Sequence, residues 1–392
     1  MNFIIQNITA VTETALLPNT SVTVKDGKIA SVGRIAPEDA SLPVLDGHGG
    51  YLTPGLIDTH SHGGGGFDVM DGTKADIIGA AQSHLYHGTT TYLPTSMTCP
   101  DAELFTFIEN FKAVKADSQT LLPHLPGMHL EGPYFSPAQC GGQPKEYLST
   151  PTIPHFTEIL NRSEGLIARW SSAPELPGAL DLGDECAARG ILCSIGHSDA
   201  DFDQVKAALS HGYTHITHLY SCMSTITRRK GFRVLGIIEC AYLFDELHVE
   251  LIADGKHLPP ELLRLVLKEK PHDKITLITD SMRGAGMPDG PSVCGSRTHG
   301  TPCIIGDGIA HLTDYSAFAG SVATADRLLR TMVNLVGLDL VDAVNMATIR
   351  PARLLHLDKT TGSIEVGKDA DLLLLTPDLT PVQVWVSGTP AL

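Results

Sequence analysis

The sequence predicts an α/β protein: a (β/α)8 TIM-type barrel with a small β-sandwich built from both chain termini. Three observations carry this prediction. Between residues 51 and 356, short apolar runs alternate with longer helix-patterned ones, eight strand–helix units in about 300 residues. On either side the pattern changes to period-two alternation between turn signals, the mark of short strands. Six of the eight apolar runs end in His, Glu or Asp, which would collect polar chemistry at one mouth of a barrel.

Residues 1–50 read as strands at Phe3–Asn7, Ser21–Val24, Lys28–Val32 and Leu42–Asp46, with Asp26-Gly27 as a hairpin turn. Residues 357–392 read likewise at Gly362–Ile364, Ala370–Leu375 and Val382–Val386. Neither end can bury a core alone, so the two are expected to pack together as one small domain. Within residues 51–356 the expected strands are Leu52–Asp58, Thr90–Pro94, Pro126–Leu130, Ile167–Ser171, Ile191–Ile195, His215–Leu219, Val249–Ala253 and Lys274–Thr279. Lys74–Tyr86, Ala102–Lys115, Ala200–Leu209 and Glu261–Lys268 are among the expected helices. A doubly wound open sheet is the alternative, but the glycine-rich phosphate fingerprint it often carries is absent.

Composition narrows the function classes. A formal charge of −16 argues against a nucleic-acid surface or an anionic membrane, and does not exclude a small anionic substrate bound by a few local cations. No apolar run reaches the length of a membrane span, and the first residues lack the basic and apolar regions of a signal peptide. The eight cysteines are scattered with no C-x-x-C pair, which fits reduced thiols in a cytoplasmic enzyme.

His60 and His62 alternate along one run, so in a strand both imidazoles would aim at one spot. Later runs end in Glu131, His197, His215 with His218, Asp254 with His257, and Asp280. Each has a bland explanation as a turn, cap or core residue. Their joint placement at the ends of six strands points instead to a metal site. Neutral imidazoles and a carboxylate suit zinc or iron, and an Asp beyond the last strand could take a proton from activated water.

These residues stand in motifs that resemble the amidohydrolase superfamily, and within it the N-acetylglucosamine-6-phosphate deacetylases. The motifs are Pro-Gly-Leu-Ile-Asp-Thr-His at 54–60, His-Leu-Glu-Gly-Pro-Tyr at 129–134, Gly-His-Ser-Asp-Ala at 196–200 and Thr-His-Leu-Tyr at 217–220. Ile-Ala-Asp-Gly-Lys-His at 252–257, Ile-Thr-Asp-Ser at 278–281 and the closing Gly362-x-Ile364-x-x-Gly367-Lys368-x-Ala370-Asp371-Leu372 complete the set. The phrase Ala285-Gly286-Met287-Pro288-Asp289-Gly290 looks closer to the N-acetylgalactosamine-6-phosphate branch.

The resemblance implies hydrolysis of an N-acetyl amino-sugar 6-phosphate by metal-activated water in a homodimer. It implies that Glu131, His197 and His218 hold one divalent ion and that His60 and His62 hold a second, with Glu131 bridging. Asp280 would be general base and then general acid. Arg229 and His257 match positions that bind the sugar phosphate; Ser221, Cys222, Asp254, Phe318, Ala319 and Gly320 match segments lining the sugar. His215 has no ligand counterpart. Two departures stand out. Cys140-Gly141-Gly142-Gln143 replaces a stretch whose His reaches the acyl carbonyl, so Gln143 can donate an N–H but carries no charge. Ser221-Cys222 replaces an Asn-containing pair. Arg228, Arg229, Lys230 and Arg233 form the densest cationic cluster, suited to a phosphate clamp. An unphosphorylated N-acyl sugar or other amide, and a non-catalytic barrel scaffold, remain as alternatives.

Overall fold

Gly55 divides what reads in the sequence as one strand, Leu52–Asp58. A Cβ there would lie 2.0 Å from the Thr90 hydroxyl, so the two backbones approach as only glycine permits. In the computed structural model, which describes residues 1–315 and 317–391, Tyr51–Pro54 runs antiparallel to Leu372–Leu375. Leu56–Ser61 starts the barrel instead, parallel to Thr89–Pro94. Tyr51–Pro54, on the barrel side of the expected boundary after residue 50, therefore pairs with strands of the termini.

The barrel strands are β1 (Leu56–Ser61), β2 (Thr89–Pro94), β3 (Met128–Glu131), β4 (Ile167–Ser172), β5 (Leu192–Ile195), β6 (Tyr213–Ile216), β7 (His248–Ile252) and β8 (Ile275–Ile278). β3 to β8 form one parallel sheet in chain order, and β1 pairs with β2. Ser96 N–H donates to His129 O at 3.0 Å between β2 and β3. Asp280 N–H donates to His60 O at 2.9 Å, joining β8 to β1 and closing the ring. Alternation along β7 sends Val249 and Leu251 into the apolar layer, and Glu250 to the opposite face, where it meets Arg169 of β4.

Helices Lys74–Tyr86, Asp101–Lys115, Phe202–Ser210 and Pro260–Glu269 lie where the apolar periodicity puts them. Two of them start at reciprocal caps, Thr73 with Asp76 and Asp201 with Gln204.

Strands from both termini form one eight-stranded sheet. It folds over a core that includes Phe3, Ile5, Val22, Leu372 and Trp385, with the Phe3 and Trp385 rings 5.8 Å apart. Asp26-Gly27 is the turn between two of its strands, both residues in the left-handed region. The expected strand Gly362–Ile364 does not form. Ser363 spends its hydroxyl on Glu365 and Lys368, while Ile364 still reaches the core.

Two elements have no counterpart among the expected strands. A four-stranded antiparallel sheet, Gly290–Cys294, Thr301–Gly306, Ile309–Leu312 and Phe318–Gly320, follows β8. It packs Cys294, Cys303, Ile305 and Ala319 against Met97 and Met282. A short hairpin, Thr227–Arg229 with Phe232–Val234, turns at Lys230-Gly231 and leaves Phe232 78% exposed.

Candidate active site

Three ionisable side chains reach the barrel mouth through unusual backbone. His197, His218 and Asp280 follow β5, β6 and β8 with φ of 47°, 31° and 46°. Left-handed geometry at a non-glycine residue is disfavoured by about 1–3 kcal/mol, and such strain gathers where side-chain direction matters. His60 lies within β1, His62 one residue past its end, and Glu131 closes β3.

These six groups converge in two sets whose ligand atoms lie within 4.8 Å of one another: Glu131, His197 and His218; and His60, His62 and Asp280. His197 Nε2 and His218 Nε2 face each other at 3.1 Å, and each is 3.2 Å from Glu131 Oε1. His197 directs Nδ1 to Gln139 O at 3.0 Å and His62 directs Nδ1 to Thr95 O at 3.0 Å. A proton on each Nδ1 leaves the Nε2 lone pairs pointing into the cluster. In the second set, His60 Nε2 and His62 Nε2 are both 3.2 Å from Asp280 Oδ1, and His62 Nε2 is 3.2 Å from Glu131 Oε2. Glu131 thus spans both sets: Oε1 faces His197 and His218 and lies 3.4 Å from His60 Nε2, while Oε2 faces His62.

Converging lone pairs repel unless a cation lies between them. Two nitrogens bound tetrahedrally at ~2.05 Å lie roughly 3.3 Å apart, close to the His197–His218 separation. His60 Nε2 is buried beside Asp280 Oδ1 and Glu131 Oε1 without a hydrogen bond of good geometry, which is costly unless a metal or a proton uses it. The donor set, four imidazoles and two carboxylates, fits a borderline divalent ion. Without one, protons play the cation's part. Burial works against charge on His60, but the Asp280 and Glu131 carboxylates outweigh it and raise its pKa to about 9. The same balance of burial against Asp280 and Glu131 raises His62. Burial tends to raise Glu131 and Asp280, yet neighbouring imidazoles, His60 foremost, hold Glu131 well down and Asp280 below the usual carboxylate value.

A cavity of about 300 Å³ opens over this cluster. Gly142, Gln143, Ser221, Cys222, His257, Phe318, Ala319 and Gly320 line it together with Glu131, His62, His197, His218 and Asp280. Gly141 also lines it, at φ 57°; a Cβ there would lie 2.3 Å from Cys222 Sγ. Ser61, Ser281 and His84 support the floor, with His84 bonded to Gly63 O at 2.9 Å and its pKa lowered by burial to about 4.

The amidohydrolase family profile matches residues 51–391. The chain belongs to the amidohydrolase family. This amidohydrolase is 33% identical over 383 residues to the N-acetylglucosamine-6-phosphate deacetylase of Bacillus subtilis (strain 168), spanning 96% of this chain and 94% of that protein. It is 32% identical over 385 residues to the N-acetylgalactosamine-6-phosphate deacetylase of Escherichia coli O157:H7, spanning 96% of each. Among solved structures, a mutant N-acetyl-D-glucosamine-6-phosphate deacetylase from Mycobacterium smegmatis in complex with N-acetyl-D-glucosamine-6-phosphate superposes with a TM-score of 0.90. That pair is 29% identical, with 100% of this chain and 99% of the other covered. The enzyme from Pasteurella multocida gives 0.91 at 26% identity, with the same coverage.

Three residues that the sequence assigns to the site sit differently in this amidohydrolase. Arg229 stands on the exposed hairpin, 61% exposed and 2.5 Å from Asp201, and does not line the cavity. Asp254 is buried behind the wall; it accepts the backbone N–H groups of Lys256 and His257 and bonds His257 Nδ1 at 2.8 Å. Its carboxylate oxygens are therefore engaged by its own loop and by His257 rather than turned into the cavity. Gln143 is held at both ends, its Oε1 accepting Thr98 N–H at 2.8 Å and its Nε2 donating to Glu131 Oε2 at 2.7 Å. His215 joins neither set; it is buried beside His248, and burial followed by Arg169 drives its pKa far down, so it is neutral. Sequence reasoning missed Met97, Met282, Cys294 and Leu312, apolar lining residues whose only signal was their nearness to a motif or to the unexpected sheet, and gave no role to Ile252, which opens the motif at 252–257.

Proposed function

We propose that this amidohydrolase deacetylates an N-acetyl amino-sugar 6-phosphate, N-acetylglucosamine 6-phosphate or its galacto epimer, to the amino-sugar phosphate and acetate. The observation that carries this reading is the six-group cluster under a cavity of about 300 Å³, room for one sugar. It is supported by the relatives at 32–33% identity, which are named for these two activities.

Glu131, His197 and His218 would hold one divalent ion, zinc or iron, and His60 and His62 with Glu131 a second. When bound, such an ion would supply Lewis acidity, which lowers the pKa of water and polarises an acyl carbonyl. The carboxylate of Asp280 takes the proton of the attacking water, and the acid so formed returns it to the departing amine nitrogen. An amide needs both halves of this, a strong nucleophile and a protonated leaving group. Gln143 keeps Glu131 turned toward the imidazoles. His257, its Nδ1 held by Asp254, offers Nε2 toward an anionic group. We also propose a cytoplasmic enzyme of two domains that meet at Gly55. Its cysteines are free, and no helix among the described residues is long and apolar enough to cross a membrane.

Arg229 can serve the phosphate only from a second copy of the chain, since it lies outside its own cavity. The exposed hairpin with Arg228, Arg229, Lys230, Phe232 and Arg233 suits such a contact, in a homodimer. Arg229→Ala is expected to raise KM about 10- to 100-fold for phosphorylated substrates and to leave free sugars unaffected. Co-refolding that variant with Asp280→Asn is expected to give mixed dimers that combine the low KM for phosphorylated substrates lost in Arg229→Ala with the turnover lost in Asp280→Asn. Equal losses on free sugars, or no restoration, would remove the role.

One observation favours a second substrate class: no Lys or Arg lines the cavity among the described residues, which suits an unphosphorylated N-acyl sugar. Acetate release from both 6-phosphates and both free sugars, with Zn2+-loaded protein, separates the two. Release from a free sugar alone would sink the phosphate reading. Release from none would support the idle scaffold.

A further inference from the structure

Beneath the histidine cluster lies a charged pair that the hydrolysis itself does not use. Arg169 of β4 and Glu250 of β7 are both fully buried. They meet as a fork: Arg169 Nη2 donates to Glu250 Oε2 at 2.8 Å, and Nη1 donates to Oε1. A buried ion pair adds little net stability over a well-packed apolar pair, so stability is a weak reason to keep it. Its other contacts suggest a better one. Arg169 also donates to Ser194 Oγ at 3.1 Å and Thr217 Oγ1 at 2.9 Å, which fixes the guanidinium and through it the carboxylate. Glu250 accepts Thr59 Oγ1 at 3.1 Å and faces His60 Nδ1 at 3.4 Å.

Among the four clustered imidazoles, His60 is the one whose Nδ1 faces a carboxylate. His62 and His197 use backbone carbonyls, and His218 Nδ1 has no partner. A carboxylate behind a ligating imidazole holds the proton on the far nitrogen, orients the ring and raises its basicity. We propose that Glu250, locked by Arg169, is a positioning residue that sets His60 with Nε2 open to the second ion and so makes this a two-ion site. The proposal rests on the two-ion reading above. It separates the two half-sites: Glu250 touches an imidazole of the second only, and reaches the first through the backbone N–H of His218 at 3.4 Å.

Chelator-stripped protein titrated with Zn2+ by calorimetry tests this. The wild type is expected to take two equivalents per chain. Glu250→Gln leaves Arg169 buried without its counter-charge and can fail to fold, so the decisive variant is R169M/E250L, which removes both charges. It is expected to keep the melting temperature of the metal-free protein and to bind the first equivalent unchanged. Its second equivalent is expected to weaken at least about tenfold, with turnover recovered when Zn2+ is raised to match. Two equivalents at wild-type affinity, or both weakened alike, would overturn the proposal. A wild type that takes only one equivalent refutes the two-ion reading first, and the role of Glu250 with it.

Discussion

Asp280→Asn is expected to lower kcat by about 10³-fold, with KM nearly unchanged and the first metal equivalent retained. The carboxylate is in the right place to move a proton: Asp280 lines the cavity, and its Oδ1 is 3.2 Å from both His60 Nε2 and His62 Nε2. Its pKa lies below the usual value because His60, His62 and His218 outweigh burial, so it is ionised and ready to accept at neutral pH. An amide of the same shape can neither take the proton of water nor return one to the amine. A 10³-fold loss corresponds to about 4 kcal/mol of transition-state stabilisation. Glu131, His197 and His218 do not depend on Asp280 for their mutual contacts, so the ion they hold should remain. Steady-state kinetics and metal analysis on one preparation check this. A loss smaller than about tenfold would remove Asp280 from the proton path.

What could be read from the sequence, and what could not, follows from the range of each signal. The ends of β1, β3, β5, β6 and β8 were legible because an apolar run and a polar terminus sit within a few residues of each other. The break at Gly55 was not, because it depends on Thr90 pressing against that backbone from another strand. The four-stranded sheet after β8 escaped notice for a related reason. Its strands are short and interrupted by Gly and Pro, and they earn their burial from Met97 and Met282 rather than from each other alone. Arg169 and Glu250 carried no signal either: a charge inside an apolar strand reads as solvent-facing until its partner across the barrel is seen. Arg229 shows the opposite limit. Its motif is local, but one chain does not bring it to the cavity.

Removing divalent ions is expected to abolish turnover and to invert the pH dependence of stability. In the metal-free protein, His60 has a pKa of about 9 against an ordinary 6.5, and His62 is raised as well. A raised histidine contributes stability that is complete below pH 6.5 and lost as pH climbs through 9. Glu131 and Asp280, both depressed, contribute stability above their ordinary values of 4.5 and 3.8 and lose it as pH falls through their lowered values. The chelated protein should therefore melt highest between about pH 4.5 and 6.5, and progressively lower toward pH 9. An ion must displace the proton on His60, so its affinity there should grow by up to about tenfold per pH unit over that same interval and then level off. At a hundredfold excess over Kd the bound ion adds about 2.7 kcal/mol, which offsets part of the lost contribution. Melting curves from pH 5 to 9, with chelator and with Zn2+, would show two profiles diverging above pH 6.5. A chelated protein that grows more stable from pH 6.5 to 9 would mean that His60 and His62 are not held as cations by Glu131 and Asp280. The converging lone pairs would then need another explanation than a site shaped for metal.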